Sequence, residues 1–245
     1  GNRRSEHSRI KKVGGVQWAA GPIGNARWGG VRLADVLQLA GLQEGAKHVW
    51  FESIDQVKKD DRTFPFGASI PVKKSLEKTR FGNGTLLATT MNGRPLPPDH
   101  GYPIRTVVPG YVGARSVKWL GRIVVSDRPS PNHYVANAYK LVTDGDQDEW
   151  SAAQPIYKFP INSVICNPPA DAKVASGKIT VSGYALPPGD PGRTIDRVEI
   201  SSDGGATWQR TKLLSPRREY CWSLWKAKIA VSAMTDQLIL RAIDS

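Results

Sequence analysis

Cysteine is almost missing from this chain: only Cys166 and Cys221 occur in 245 residues. Two thiols build neither a disulfide framework nor a cysteine-rich metal cluster, so both are expected as buried thiols outside any disulfide. No uninterrupted apolar run of about 18 residues occurs, which excludes a transmembrane helix on length. Long helical periodicity is scarce, whereas 24 glycines and 18 prolines are present, a balance that favours a β-rich fold with many turns. Acidic residues are outnumbered, 22 against 34 basic ones, for a formal net charge of +12. That excess attracts anions over long range. Basic and aromatic residues form no known nucleic-acid module, so a nucleic-acid reader is not expected. There is no initiating methionine at Gly1, and the chain reads as the middle of a longer protein.

What is present is organised around residues 99–123, DHGYPIRTVVPGYVGARSVKWLGRI. Its β-branched and aromatic residues fall in short blocks, among them Ile104, Val107, Val108, Val117 and Trp119, which predicts strands. Between the blocks, Pro109-Gly110 and Gly113-Ala114 are turn chemistry, and turns leave backbone N–H groups free for an acceptor. His100, Arg105, Arg115, Lys118 and Arg122 run through the same stretch. Guanidinium, ammonium and imidazole donors beside free N–H groups suit a phosphate or another multiply charged anion. On spacing alone, basic side chains scattered along strand edges fit equally, because no registered phosphate-loop pattern is present.

Residues 31–40, VRLADVLQLA, have helical spacing and end at Gly41, as a helix cap does. Residues 47–57 alternate as a half-buried strand, and residues 58–62, KKDDR, read as an exposed loop. Residues 68–78 fit a strand running into a short helix with Pro71 in its first turn. Residues 85–96 read as two strands joined at Asn92-Gly93, a strong hairpin signal. Residues 126–150 are polar, and the acidic run 143–149 is expected as a solvated loop. Near residue 160 the composition changes. Segments 178–185, 195–201, 208–214, 222–231 and 238–243 then read as strands, with SDGGATW as a glycine hairpin, which predicts an immunoglobulin-like sandwich.

The phrases DHGYPIR, VVPG, GARSVKWL and I-VVS, in that order, resemble the molybdopterin-binding segment of the sulfite oxidase family. The opening GNRR resembles the segment that follows the family's molybdenum-ligating Cys-Ala, and RAIDS resembles its penultimate portion. The resemblance implies an α+β, mixed and mainly β molybdopterin domain over residues 1–160, followed by an all-β sandwich over residues 161–245 that mediates dimerisation. It also implies that both ends stop short of active-site residues: the sandwich is expected to be incomplete at its C-terminus, and no metal ligand is assigned within the chain.

Carried over residue by residue, the resemblance makes Arg4, Trp18 and Tyr139 the residues around a substrate anion. Ser53, Asp55, His100, Arg105, Ser116, Val117 and Lys118 become contacts to the molybdenum cofactor. Without the resemblance, Asp55 fits a structural ion pair, and Arg115 is assigned a structural role in its turn. The expected activity is oxidation of sulfite to sulfate in a homodimer. Haem and the electron acceptor are left open, because family members use an attached haem domain, a separate cytochrome or oxygen. Two other readings are a nitrate reductase of the same fold, against which Ser116 and the Tyr139-Lys140 pair argue, and a non-catalytic basic binding module.

Overall fold

A computed structural model of the chain describes residues 5, 8–10, 12, 15–78, 84–141 and 147–245, with backbone alone for 147–149. It divides into two compact units, Ala26–Phe159 and one joining Gly1–Asn25 to Pro160–Ser245. The unit Ala26–Phe159 runs β1 (Trp28–Arg32), α1 (Leu33–Ala40), β2 (His48–Lys59), β3 (Arg62–Pro71), α2 (Val72–Ser75), β4 (Leu86–Met91) and β5 (Arg94–Pro95). It continues with β6 (Arg105–Val107), β7 (Leu120–Ser126), α3 (His133–Ala136) and α4 (Gln147–Ala152), with 3-10 turns at Pro98–His100 and Gly113–Arg115.

The helix predicted over residues 31–40 begins at Leu33, because Val31 is drawn into β1, where it pairs with Leu87. Its end is as expected: Gly41 takes the left-handed conformation at φ 77, which glycine adopts without a Cβ penalty. The loop expected over residues 58–62 shrinks to a two-residue turn between β2 and β3, with Asp60 at φ 53. Asn92-Gly93 makes the hairpin turn with both φ values positive, 52 and 80, as a primed turn requires.

Two sheets shape this unit, β3-β2-β7 and β1-β4-β5 with β6 also on β4. Val49 and Phe51 of β2, Ala68 and Ile70 of β3, and Leu33 and Leu37 of α1 share one buried core with Val108 and Val117. The alternation along β2 buries Val49, Phe51 and Ser53 and then stops. Beyond Glu52 its pairing with β3 resumes only at Gln56, and its pairing with β7 slips at Ser53. The Ile54 N–H, freed from the ladder, donates to the Trp119 carbonyl at 2.8 Å. A break in strand register thereby turns residues 53–55 towards the central basic stretch.

The second unit contains β8 (Asn162–Asn167), β9 (Gly177–Leu186), β10 (Ile195–Ser201), β11 (Gln209–Arg210), β12 (Lys212–Leu213), β13 (Ser223–Val231) and β14 (Ile239–Asp244). Sheets β12-β13-β9-β8 and β11-β10-β14 enclose a core built on Val181, Ile195, Val198, Ile200, Trp225 and Ile229. β13 alternates buried and exposed over its whole length, the pattern of a strand with one wet face. At Gly183 an added Cβ would fall 1.9 Å from the Val164 carbonyl and 2.9 Å from the Trp225 ring. Close approach of backbone and indole is what requires glycine there. The fold is α+β, mixed and mainly β, followed by an all-β immunoglobulin-like sandwich.

The cysteines correct one expectation. Neither forms a disulfide, but Cys166 is exposed and Cys221 only half-buried. In β8 a register shift between Ile165 and Asn167 turns Cys166 away from the side that buries Val164.

In the glycine hairpin, the Asp203 carboxylate accepts hydrogen bonds from the Ser201 hydroxyl at 2.6 Å and the Thr207 N–H at 2.9 Å. Those bonds, with one from the Thr207 hydroxyl, hold its pKa down at about 2, against 3.8 when unperturbed. The stabilisation is therefore complete above pH 3.8 and is lost as the pH falls through 2. Acid unfolding followed by circular dichroism is expected to be steeper in the wild type than in Asp203→Asn over that window, and equal slopes would refute the assignment.

Candidate functional site

The basic stretch folds back on itself, and backbone carbonyls do most of the holding. Arg105, on β6, donates from Nη1 to the His100 carbonyl at 3.1 Å, from Nη2 to the Ser116 carbonyl at 3.3 Å and from Nε to the Thr106 carbonyl at 3.3 Å. Lys118 donates to the Asp99 carbonyl at 2.7 Å, and the Trp119 indole N–H to the Pro98 carbonyl at 2.9 Å. The turn Pro98–His100 is thereby stapled onto residues 116–119 from two directions.

Glycine is required where the two segments touch. Gly101 has φ 99, and a Cβ there would lie 2.8 Å from Lys118 Cβ and 3.0 Å from the Trp119 nitrogen. Ser116 accepts from the Val108 N–H through its hydroxyl at 3.0 Å. Val117 is fully buried; its N–H is taken by the Thr106 hydroxyl at 2.6 Å and its carbonyl by the Thr106 N–H at 2.8 Å. Ser53 is buried and accepts from the Asp55 N–H at 2.9 Å, while the Asp55 side chain is exposed.

The electrostatics are one-sided. Among the described residues no carboxylate pairs with His100, Arg105 or Lys118, and Asp55 forms no ion pair, so the structural reading of that aspartate finds no partner. Burial pushes the Arg105 pKa down, yet a guanidinium stays charged at any working pH. Its carbon lies 4.9 Å from the centre of the Trp28 ring, and Lys118 Nζ lies 4.4 Å from that of Trp119. Each cation thus has an aromatic face and carbonyl oxygens, but no counter-ion among the described residues. Trp28 is a contact that spacing could not show, because it depends on a strand pairing between residues 63 positions apart, Trp28 with Met91.

Ser53, Asp55, His100, Arg105, Ser116, Val117 and Lys118 are therefore brought together within one unit. Tyr139 belongs to the same unit, just past α3, half-exposed and at φ 53. Its carbonyl accepts from the Ile156 N–H at 2.6 Å, and its ring centre is 6.3 Å from that of Tyr134. Lys140 turns away to the carbonyls of Trp150 and Ser151, at 3.0 and 3.2 Å. Trp18, exposed, lies in the unit that holds the sandwich, and Arg4 lies outside the described residues. A cavity of 550 Å³ beside α1, lined by Arg32, Gln38, Leu42 and Thr85 among others, shares no residue with the cationic cluster. Two carboxylate residues, Asp35 and Glu77, line this cavity, and the hydrogen bond from the Arg32 guanidinium holds Asp35 below its ordinary pKa.

Comparison with known proteins gives the family to which this unit belongs. Residues 1–134 match the family model of the oxidoreductase molybdopterin binding domain, and residues 153–245 that of the Mo-co oxidoreductase dimerisation domain. The chain belongs to the sulfite oxidase family. Mitochondrial sulfite oxidase of Drosophila melanogaster is 45% identical over 262 residues, covering 100% of this chain and 44% of the relative. Sulfite oxidase of Arabidopsis thaliana is 40% identical over 266 residues, covering 100% of this chain and 66% of its own. An NADPH nitrate reductase of Fusarium oxysporum is more distant, at 32% identity over all of this chain and 30% of its own. The crystal structure of the sulfane dehydrogenase SoxCD of Paracoccus pantotrophus superposes with a TM-score of 0.73 at 27% identity, covering 94% of this chain and 55% of that one. The chain thus spans about half the length of most of these sulfite oxidase family relatives.

Gly101 provides a test of the cluster's geometry. Gly101→Ala is expected to lower stability by about 1–3 kcal/mol, the usual cost of forcing a side chain into a filled space. Gly113→Ala, with nothing within 4 Å of the added Cβ, is expected to change little. Urea denaturation of both variants reads the difference, and equal midpoints would refute the close approach.

Proposed function

We propose that the whole protein is a molybdenum-cofactor oxidoreductase that oxidises sulfite to sulfate. The observation that carries the reading is the cluster of Arg105, Lys118 and His100, three donors without a carboxylate among the described residues. It lies within the part of the chain that matches the molybdopterin-binding family model. The residues fit the group. Arg105 and Lys118 are fixed through carbonyls, so their charge stays available for a phosphate, and the exposed His100 ring and Asp55 carboxylate supply a donor and an acceptor for the pterin. Ser53, Ser116 and the inward-facing Val117 hold the strip on which those side chains stand. When bound, the cofactor supplies two-electron oxygen-atom transfer.

The chain's own residues bind and orient the anion. Arg4 neutralises sulfite, Trp18 walls the pocket, and the Tyr139 hydroxyl donates a hydrogen bond to a sulfite oxygen. Sulfite and water become sulfate, two protons and two electrons, and the electrons pass to an acceptor. Positive potential favours an anion over neutral thiol or aldehyde competitors. Residues 1–160 form the cofactor-binding half, and residues 161–245 the half through which two copies pair, a reading supported by the dimerisation-domain match.

The full-length protein loaded with molybdenum cofactor is expected to reduce an artificial acceptor in the presence of sulfite. Reduction of nitrate with no response to sulfite would replace this reading with the nitrate reductase one. Arg4→Gln is expected to raise the KM for sulfite roughly tenfold or more, the loss of a charge-assisted hydrogen bond of about 1.5–3 kcal/mol. Arg105→Met is expected to lower molybdenum per protomer by metal analysis, and an unchanged content would remove Arg105 from the cofactor site.

A further inference from the structure

Arg115 is the largest charged side chain in the interior, with an exposure of 0%. Among the described residues no carboxylate reaches it. Its Nε donates to the Ile156 carbonyl at 3.0 Å and its Nη1 to the Tyr134 carbonyl at 2.7 Å, while Nη2 is buried without a hydrogen-bond partner. The guanidinium carbon lies 5.9 Å from the centre of the Tyr139 ring and 5.3 Å from that of Tyr157.

These contacts converge on one residue. Ile156, which receives the Arg115 Nε bond, gives its own N–H to the Tyr139 carbonyl at 2.6 Å. Tyr134, which receives the Nη1 bond, has its ring beside that of Tyr139. Tyr139 itself is at φ 53, a conformation that a bulky side chain keeps only when its surroundings over-determine it. Leaving a charge buried with no counter-charge is unfavourable for stability alone, so a purely architectural role does not account for choosing arginine here. The next residue in the chain, Ser116, is the one whose carbonyl Arg105 holds.

We propose that Arg115 is the positioning residue for Tyr139: it clamps the backbone on both sides of that ring and sets a permanent cation against it. The inference rests on the reading in which Tyr139 touches the sulfite anion. Arg115 touches neither substrate nor cofactor, and acts by fixing where the Tyr139 hydroxyl stands.

The test is a double-mutant cycle on the full-length holoenzyme with Arg115→Met, Tyr139→Phe and both together. Arg115→Met is expected to lower kcat for sulfite about tenfold to a hundredfold through misplacement of the phenol, with the double variant no slower than the slower single one. Losses that multiply would overturn the proposal. A second readout does not use turnover: with ring-13C tyrosine, the NMR signal absent from Tyr139→Phe is that of Tyr139. It is expected to shift and broaden in Arg115→Met while those of Tyr184 and Tyr220 stay, and an unmoved signal would overturn the proposal. If Arg115→Met does not fold, Tyr139→Leu serves instead, and the protected Arg115 Nε–H resonance is expected to move on loss of the ring; no movement refutes the contact. A wild-type holoenzyme inert to sulfite overturns the functional reading first. An active wild type with multiplying losses overturns this inference alone.

Discussion

The Arg105 guanidinium, bound to the carbonyls of His100 and Ser116, is the contact on which the first unit's functional edge depends. It ties together two turns of the same basic stretch, one on each side of β6. Because it uses carbonyl oxygens and not carboxylates, it fixes geometry without cancelling charge. An ion pair at the same place would hold the loops equally well and leave nothing for an incoming anion. Lys118 repeats the device through the Asp99 carbonyl, so two cations are locked in position with no carboxylate of the described residues to compensate them.

The sheets make that arrangement possible. β6 presents Arg105 because β4 pairs with it in register, Ala88 opposite Arg105. β2 delivers Ser53 and Asp55 because its ladder breaks beyond Glu52 and its next N–H group is captured by Trp119. Regular pairing would have carried residues 53–55 on along the hairpin and away from the cluster. Core packing of Phe51, Ile70 and Val117 then fixes the sheet against which both loops rest.

Much of the scaffold was legible in the sequence, for local physical reasons. The Gly41 cap, the Asn92-Gly93 turn and the alternation of β13 are each determined within a few residues. The basic run by itself fitted an anion site and scattered strand-edge charges equally, and only the resemblance supplied the roles. What sequence reading missed depends on tertiary pairing. Val31 has helical spacing but is claimed by β4; Trp28 meets Arg105 only after two strands pair; and Cys166 is exposed because a register slip reverses its face. Arg115 was legible as structural from its turn, but not as the clamp of a tyrosine 24 positions further on, a contact made through Ile156 and Tyr134.

Trp28 under Arg105 and Trp119 under Lys118 have a further consequence. Each indole sits in the electric field of a cation, and the excited state of indole has a much larger dipole than its ground state. Neutralising either cation with a bound anion alters that field and therefore the colour of the emitted light. Two of the eight tryptophans would thus report, with no dye attached, the arrival of an anion beside either cation.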